Sequence, residues 1–555
     1  MIVTILSITL YGIWRTRHHD DLHGYLRGKH QTPWWAIGLS VMATQASAIT
    51  FLSAPGQGYL DGLGFVQIYF GMPIALIIIC IFFLPAFHKL NVYTAYEFLQ
   101  QRFDLKTRLL GAFLFLVQRG IGAGLTIYAP AIVLSTMFGW SLEGTILCSG
   151  FVVTAYTVLG GTDAVTLTQK YQLGIIFIGM ITAACVLISK LPHGVTFDDA
   201  LHVAGGFHRL QAINFSPNYH ERYTFWAGTI GGTFLMLSYF GTDQSQVQRY
   251  ISGRSVRESR LGLLFNAVVK IPLQFSIIFL GVLLFVFYQF SHPPLFFDTT
   301  ANKYMNMSMM AGDTKLTGYI HDFDEARANV RENLKKWLDA RHAGDTTTAN
   351  AAFAEAYEAE QKSGVIRNAA RKEVERRGRL KTSNADYVFV TFILRELPHG
   401  AVGLLVAAFF LAALSAKAAE LNALGTSSTI DFYKLLINKH ADEKHAIRAT
   451  RYFTAFWGVV AVLIALFAHI AENLIQAVNI LGSIFYGVML ALFVVAFAIK
   501  RVGGTAMFWS AIVAQTLVVI LYFTLPISYL WFPLIGCGTC VLLSLILQRF
   551  MVRTA

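Results

Sequence analysis

"MATQASAITFLSAPGQG", residues 42–58, lies in a stretch apolar enough to cross a membrane, yet small and polar residues interrupt it where an unbroken helix would carry bulk. A second stretch, "TIGGTFLMLSYFGTDQ" at 229–244, is interrupted in the same way. Lipid offers unwound backbone no hydrogen-bond partner, so such breaks are tolerated only where protein or a watery cavity surrounds them. Two broken helices at matching places in one chain predict a solute cavity between them, near the middle of the bilayer.

The rest of the chain supplies the membrane. Its 555 residues are 55% hydrophobic and only 14% charged, with a mean hydropathy of +0.53, which excludes an ordinary soluble enzyme. Thirteen apolar spans are expected, near 1–14, 34–57, 64–87, 108–137, 142–160, 173–192, 224–241, 261–290, 398–430, 452–470, 473–499, 505–524 and 528–548. The predicted fold is therefore an all-α membrane protein of about 13 transmembrane helices. The first span lacks a basic leader and is followed by "RTRHHDD", so it reads as a clipped membrane helix rather than a cleavable signal, with room for a start upstream.

Lys and Arg alternate cleanly between short loops. "RTRHHDDLHGYLRGKH", "HKLNVYTAYEFLQQRFDLKTR", "QSQVQRYISGRSVRESR", "YKLLINKHADEKHAIRATR" and the tail "QRFMVRT" fall on one side, which predicts an N-terminus outside, a cytoplasmic C-terminus and a plasma (inner) membrane location. The same flanks account for most of the net charge of +12 and face anionic headgroups, so no nucleic-acid partner is called for. The five cysteines lie in apolar segments, and "CGTC" at 537–540 reads as small residues for helix packing before a redox pair. "HHDDLHG" at 18–24 has metal-ligand residue types but no matching ligands elsewhere and reads as a solvated link.

One segment breaks the pattern. Residues 291–386 carry 15 basic and 14 acidic side chains among alanines, with helical periodicity on either side of "AGDTTT", so an extracytoplasmic helical hairpin is expected there. It reads either as a solvated insertion or as a lid or partner-binding element. Around it the chain divides into a first helix and link (1–33), five spans (34–192), five more (224–499) and C-terminal helices with a tail (505–555). An odd number of spans per copy turns the second copy over, which is an inverted five-plus-five repeat.

"YLRGKHQTPWWAIGLS" (25–40), "YTAYEFLQQRF" (93–103), "GGTDAVTLTQKYQ" (160–172), "GTDQSQVQRYISGRS" (241–255) and "AALSAKAAELNALGTSSTIDFYK" (412–434) resemble the sodium/solute symporter family. "IYAPAIVL" (127–134) and "NFSPNYHERYTFWAGTIGG" (214–232) further resemble the branch with iodide, monocarboxylate and multivitamin carriers. The resemblance implies a symporter working by alternating access, with ten core helices in two inverted repeats. It places a sodium ion at backbone carbonyls and hydroxyls matching Ala43, Ala46, Ala412 and Ser415. This chain departs from the pattern at Ala416, where Ser or Thr is usual, and at Gln169, where Asp is usual. Solute contacts carried over by the same matching are Gln45, Ser47, Thr50, Tyr239, Phe240, Gln244, Gln476 and Asn479, with Tyr239 and Phe240 as an aromatic gate. Ordinary interhelical hydrogen bonding or packing accounts for each of them equally well.

Lys417 is a third departure, an ammonium inside an apolar span. Glu420, about 60° around the helix at i+3, is its local partner. Two readings follow. The pair is structural, facing a vestibule, or the ammonium stands in for sodium and makes transport proton-coupled or uncoupled. Against the second, Lys417 lies roughly 140° from Ala412 and 160° from Ser415 around the helix. A solute-sensing membrane domain and a passive channel are the other classes open to such a chain. No phosphate-cradling loop or nucleophile motif marks it as an enzyme, and no cofactor is expected beyond a bound sodium ion.

Overall fold

Pro33, with no amide hydrogen to leave unpaired, stands directly before α1 (Trp34–Gln45). The helix stops at Ala46 (φ −81°, ψ 65°), Ser47 is extended (φ −76°, ψ 171°), and α2 (Ala48–Asp61) then resumes. The Ala46 amide still bonds the Met42 carbonyl at 2.8 Å, whereas the next turn closes from Thr50 to Ser47 at 3.0 Å, so the regular ladder is broken between them. The first predicted break is thus one or two residues long.

The computed structural model describes residues 33–90, 92–378, 381–382, 384–467 and 473–553, with side chains not described at 159–172, 415 and 552–553. The expected first span, "HHDDLHG", and the side chains of Gln169 and Ser415 lie outside the described residues. Apart from an isolated bridge at Gly253, everything described is helix, turn or irregular chain. After α2, a 3₁₀ segment (Gly62–Tyr69) leads into α3 (72–90), which contains a π turn, and then into α4 (Ala95–Arg102), α5 (Leu105–Phe138), α6 (Leu142–Ser189) and α7 (Phe197–Gly206). A π turn (Ala227–Gly231) opens α8 (Gly232–Gly241). Thr242 and Asp243 are non-helical, and α9 (Gln244–Tyr250) follows, which is the second predicted break. Next come α10 (Val256–Phe290), α11 (Thr299–Met310), α12 (Thr314–His342), α13 (Thr346–Gly378), α14 (Asn384–Glu396) and α15 (His399–Ser427), the last extended by a π segment to Ile437. The chain closes with α16 (Glu443–Leu466), α17 (Leu474–Ala498), α18 (Gly504–Thr524) and α19 (Phe532–Arg553).

Eight helices among the described residues are long and apolar enough to span a bilayer, so the chain is an integral multi-pass membrane protein. The count differs from the thirteen expected spans for identifiable reasons. The first break leaves α1 too short to count and α2 joined with the span expected at 64–87 in one segment, Ala48–Leu90, and the second leaves 224–241 too short. The spans expected at 142–160 and 173–192 lie on one continuous helix of 48 residues, α6, whose described apolar stretches, Leu142–Val158 and Leu173–Ser189, are each too short to count, and the first expected span lies outside the described residues.

The charged segment forms a helical hairpin, α12 and α13, turning at Gly344 (φ 78°) with Asp345 capping α13 through the Thr348 amide at 3.0 Å. Two arginines fasten it to the membrane part. Arg327, buried, donates to the Tyr288 carbonyl at 2.5 Å and Gln289 Oε1 at 3.2 Å and pairs with Glu360. Arg341 reaches Asp199 at 2.9 Å and Asp198 at 2.7 Å, and His342 lies 3.2 Å from Asp199. Burial opposes the Asp199 charge, but hydrogen bonds from Thr196 and His342 outweigh it and hold the carboxyl below its usual range. The stabilisation from this anchor is therefore complete above the ordinary carboxylate range and is lost only as pH falls through and below it.

Glycine lets α2 lie directly on its neighbours. A methyl group on Gly56 would collide with the Ala385 backbone of α14, one on Gly58 with Ile278 of α10, and one on Gly281 of α10 with Pro55 of α2. This close approach of backbones is the usual way membrane helices pack without large side chains. Gly281→Leu is expected to lower the melting temperature of the purified protein, with a cost of about 1–3 kcal/mol or more from overpacking. Substituting Gly174, which has no neighbour within 4 Å, serves as the control.

Candidate functional site

Four charged side chains meet inside the helical bundle. Arg119 of α5 pairs with Asp243 at the second break and, through its other nitrogen, with Glu420 of α15 at 3.2 Å. Lys417 Nζ lies 2.6 Å from the second oxygen of Glu420. All four are at most 5% exposed. The sequence of signs, Lys417, Glu420, Arg119, Asp243, alternates and sums to zero, which is how buried charges become tolerable. Tyr486 of α17 closes the set, donating to Asp243 and accepting from Arg119, each at 3.0 Å. Thr126 adds a 3.4 Å hydrogen bond to Glu420, and the Arg119 guanidinium lies over the Tyr239 ring at 5.5 Å.

The breaks are held by side chains brought from elsewhere in the chain. At the second, Asp243 caps α9 through Ser245, the Thr242 carbonyl accepts from Tyr96 at 2.9 Å, and Ser238 donates to the Tyr486 carbonyl at 2.7 Å. At the first, Thr50 donates to the Gln45 carbonyl at 3.1 Å, and Gln45 donates to Asn266 of α10 at 3.2 Å. The "YTAYEFLQQRF" motif thereby acquires a structural meaning. Its Thr94 and Glu97 form a capping box, Tyr96 braces the break, and Thr94 joins Arg108 and Ser427 around the buried Asp431.

Between the breaks lies a cavity of about 130 Å³. A dry engineered pocket of about 150 Å³ holds benzene, so this one suits a solute of about half a dozen heavy atoms. Gln45, Ser47, Thr50, Tyr239 and Asn479 line it, together with Arg119, Glu420, Lys270 and Tyr486. The other carried-over solute residues lie elsewhere. Phe240 is fully buried behind Tyr239. Gln244 is turned to α4, where it bonds the Ala95 amide at 3.0 Å and the Tyr93 carbonyl at 2.8 Å, because the break resets the helical phase. Gln476 accepts from Arg222 at 3.1 Å and donates to Gln57 at 3.3 Å. The aromatic gate reduces to Tyr239 on the cavity side.

Ala43 and Ala46, at the end of α1, and Ala412 and Ala416, on α15, are all buried, and α1 packs against α15. Lys417 does not line the cavity and is engaged by Glu420. Arg119, Asp243 and Lys270 were not among the sequence candidates, although a signal existed for two of them: each is a lone cation in a long apolar run, which in a membrane marks function by default. Among the described residues no group of three His, Cys, Asp or Glu side chains could hold a metal ion.

Two unwound membrane helices around a small polar cavity, braced by buried ion pairs, define a membrane transport protein. The chain belongs to the sodium:solute symporter family, whose model matches residues 25–309 and 376–514. It is 33% identical to the sodium/iodide cotransporter of Homo sapiens over 261 residues, 47% of this chain and 40% of that protein. It is 35% identical to sodium-coupled monocarboxylate transporter 1 of Homo sapiens over 293 residues, 53% of this chain and 48% of that protein. The chain thus spans about half the length of the curated relatives it matches. Among solved structures, a Na+-coupled sialic acid symporter in a substrate-bound outward-open state superposes with a TM-score of 0.74 at 21% identity, over 98% of this chain and 95% of that one. A nucleobase-cation-symport-1 family transporter in a closed conformation gives 0.51 at 11% identity, over 97% and 96%. These likenesses concern the fold.

The charge quartet makes a prediction of its own. Glu420→Leu strands Lys417 in the bundle and should cost about 3–5 kcal/mol, whereas Lys417→Leu with Glu420→Leu leaves the Arg119–Asp243 pair intact and should regain most of that loss. Melting of the two purified variants by scanning fluorimetry decides it. A double variant no more stable than Glu420→Leu would show that the pairs are not mutually compensating.

Proposed function

We propose that the chain is a secondary active symporter that carries a small solute, an organic anion or a sugar, across the membrane by alternating access. Binding in the cavity between the α1/α2 and α8/α9 breaks favours closure of one gate and opening of the other. The observation that carries the reading is the cavity's position, walled by the first break, by α8 leading into the second, and by Arg119 and Glu420 of the ion pairs that brace the second. Residues 34–192 and 224–499 are read as the two inverted repeats. The hairpin is placed outside the cell, the N-terminus outside and the C-terminus in the cytoplasm.

Sodium is the default coupling ion, held by the carbonyls of Ala43, Ala46 and Ala412 and by Ser415. Family membership and the interruption of the helix between α1 and α2 at Ala46 and Ser47 support this. The loss of hydroxyl at Ala416 and of carboxylate at Gln169 leaves a weaker site than the family's. A sodium-independent or proton-coupled carrier using Lys417 is the second reading. The 2.6 Å contact to Glu420 instead favours Lys417 as half of a structural pair.

Uptake into proteoliposomes tests both. Accumulation against a gradient is expected with inward sodium and not with an inward proton gradient alone. Ser415→Ala should raise the sodium concentration for half-maximal uptake about tenfold, the equivalent of about 1.4 kcal/mol for one lost oxygen ligand. Uphill uptake driven by protons and abolished in Lys417→Leu would move the assignment to the second reading, and flux that never runs uphill would make the protein a channel.

A further inference from the structure

We infer that the rim where α15 ends and α16 begins holds the headgroup of an anionic phospholipid, with Arg448 as the residue that takes its phosphate. The inference does not rest on the carrier reading. A cavity of about 330 Å³, more than twice the volume of the one between the breaks, opens there between the π segment of α15 and the first turns of α16. Tyr433, His445, Arg448, Ala449, Tyr452 and Phe453 line it. Arg448 is exposed, and among the described residues it makes no hydrogen bond and no ion pair. Its acidic neighbour Asp442 is spent on capping α16, accepting from the His445 amide at 2.8 Å. Between Tyr433 and Tyr452 the chain carries five Lys or Arg against two Asp or Glu, so the rim keeps three net positive charges.

Position along α16 identifies the ligand as a lipid rather than a soluble anion. At about 100° per residue, Arg448, Tyr452, Phe456, Val459 and Leu463 fall within about 80° of one another around the helix. The last four are each more than half exposed, and on a multi-pass membrane protein such a stripe faces lipid. From Tyr452 to Leu463 it runs about 16 Å, close to the half-thickness of a hydrocarbon core roughly 30 Å deep. Arg448 stands about 6 Å beyond Tyr452, at headgroup depth, and tyrosine is the residue type expected at that boundary. An acyl chain laid along the stripe therefore brings its own phosphate to the cavity.

The cavity walls suit that phosphate. The Arg448 guanidinium offers paired N–H donors in a fork that two phosphate oxygens match. The Tyr433 hydroxyl and His445 Nε2 lie 2.7 Å apart with their rings nearly parallel, and Phe453 stands edge-on to Tyr433, so the polar atoms of the second wall are held in place before a ligand arrives. The orientation proposed above puts this rim in the cytoplasmic leaflet, whose surface is negative. A lipid bound there touches both α15 and α16 and stabilises the folded chain according to its affinity.

The test is lipid binding to the purified full chain in a neutral maltoside detergent, counted by native mass spectrometry and read as a melting shift. Salt is held at about 0.15 M, where exposed charges more than about 8 Å apart are largely screened. The probes are dioleoyl phosphatidylglycerol, dioleoyl phosphatidylcholine, glycerol 3-phosphate and inorganic phosphate. Phosphatidylglycerol is expected to bind and to raise the melting temperature, whereas phosphatidylcholine with the same chains is not. Arg448→Gln should weaken phosphatidylglycerol at least about tenfold, the loss of a charge-assisted contact. Lys439→Gln, on the same loop but outside the cavity, removes the same charge and should weaken it about fivefold at most, the effect of one diffuse surface charge. Both side chains are exposed, so both variants should melt with the wild type when no lipid is added.

The inference is overturned if phosphatidylglycerol is not retained, if phosphatidylcholine binds as well, or if Arg448→Gln loses no more than Lys439→Gln, which would reduce the site to diffuse attraction. Binding of glycerol 3-phosphate or inorganic phosphate as tight as that of the lipid would overturn it too, by making the rim a site for a soluble anion.

Discussion

A guanidinium buried in a membrane protein must have its charge answered on the spot, and Arg119 answers it twice, with Asp243 and with Glu420. The rest of the central architecture depends on that requirement. Asp243 occupies a position where the backbone has left the helix, and a carboxylate there, fully buried, could not persist without a cation reaching it. Glu420 could not face the same space without Arg119 and Lys417. The pairs therefore tie α5, α15 and the α8/α9 break into one electrically neutral unit, and Tyr486 adds α17 to it. Helices that share only apolar contacts in lipid have little to fix their register, whereas these four have a charge pattern that is satisfied in one arrangement.

The two unwound points illustrate a second constraint, that backbone freed from a helix inside a membrane must be partnered by something distant. Tyr96 reaches the Thr242 carbonyl across 146 residues of sequence, and Gln45 reaches Asn266 across 221. The motif at 93–103 is conspicuous in the sequence because it braces a break that lies far from it along the chain. Close helix packing does the rest. Gly56, Gly58 and Gly281 allow α2 to touch α10 and α14 backbone to backbone, so the segment following the first break is held along its length by neighbours rather than by its own ladder.

What was legible in the residues follows from which interactions are local. Both breaks were readable, because Gly, Ser and Thr inside an apolar run change the local preference of the backbone itself. The Lys417–Glu420 pair was readable for the same reason, since three residues on one helix share a face whatever the tertiary structure. Arg119 and Asp243 lie 124 residues apart, and a single charge in a span of thirty apolar residues barely moves the average by which spans are recognised. The misplacement of Gln244 has a different origin. Helical phase cannot be carried through two non-helical residues, so a residue matched to the cavity by spacing was turned toward Tyr93 instead. The length of α6 was illegible too, because "GGTD" carries the composition of a turn while the backbone there remains helical.

The cavity walls differ in how their charges are settled, and the difference bears on how an occupant would act. On α5 and α15 the charges are internally balanced and would gain little from a solute. On α10 Lys270 lines the cavity while Asn266, one turn earlier and outside the lining, is buried and accepts from Gln45. A solute resting against Tyr239 and the first break would add a polar contact between parts of the bundle that otherwise meet through packing. Binding would then strengthen one arrangement of the helices over others by the amount of that contact, which is the differential affinity any ligand-driven change of conformation requires.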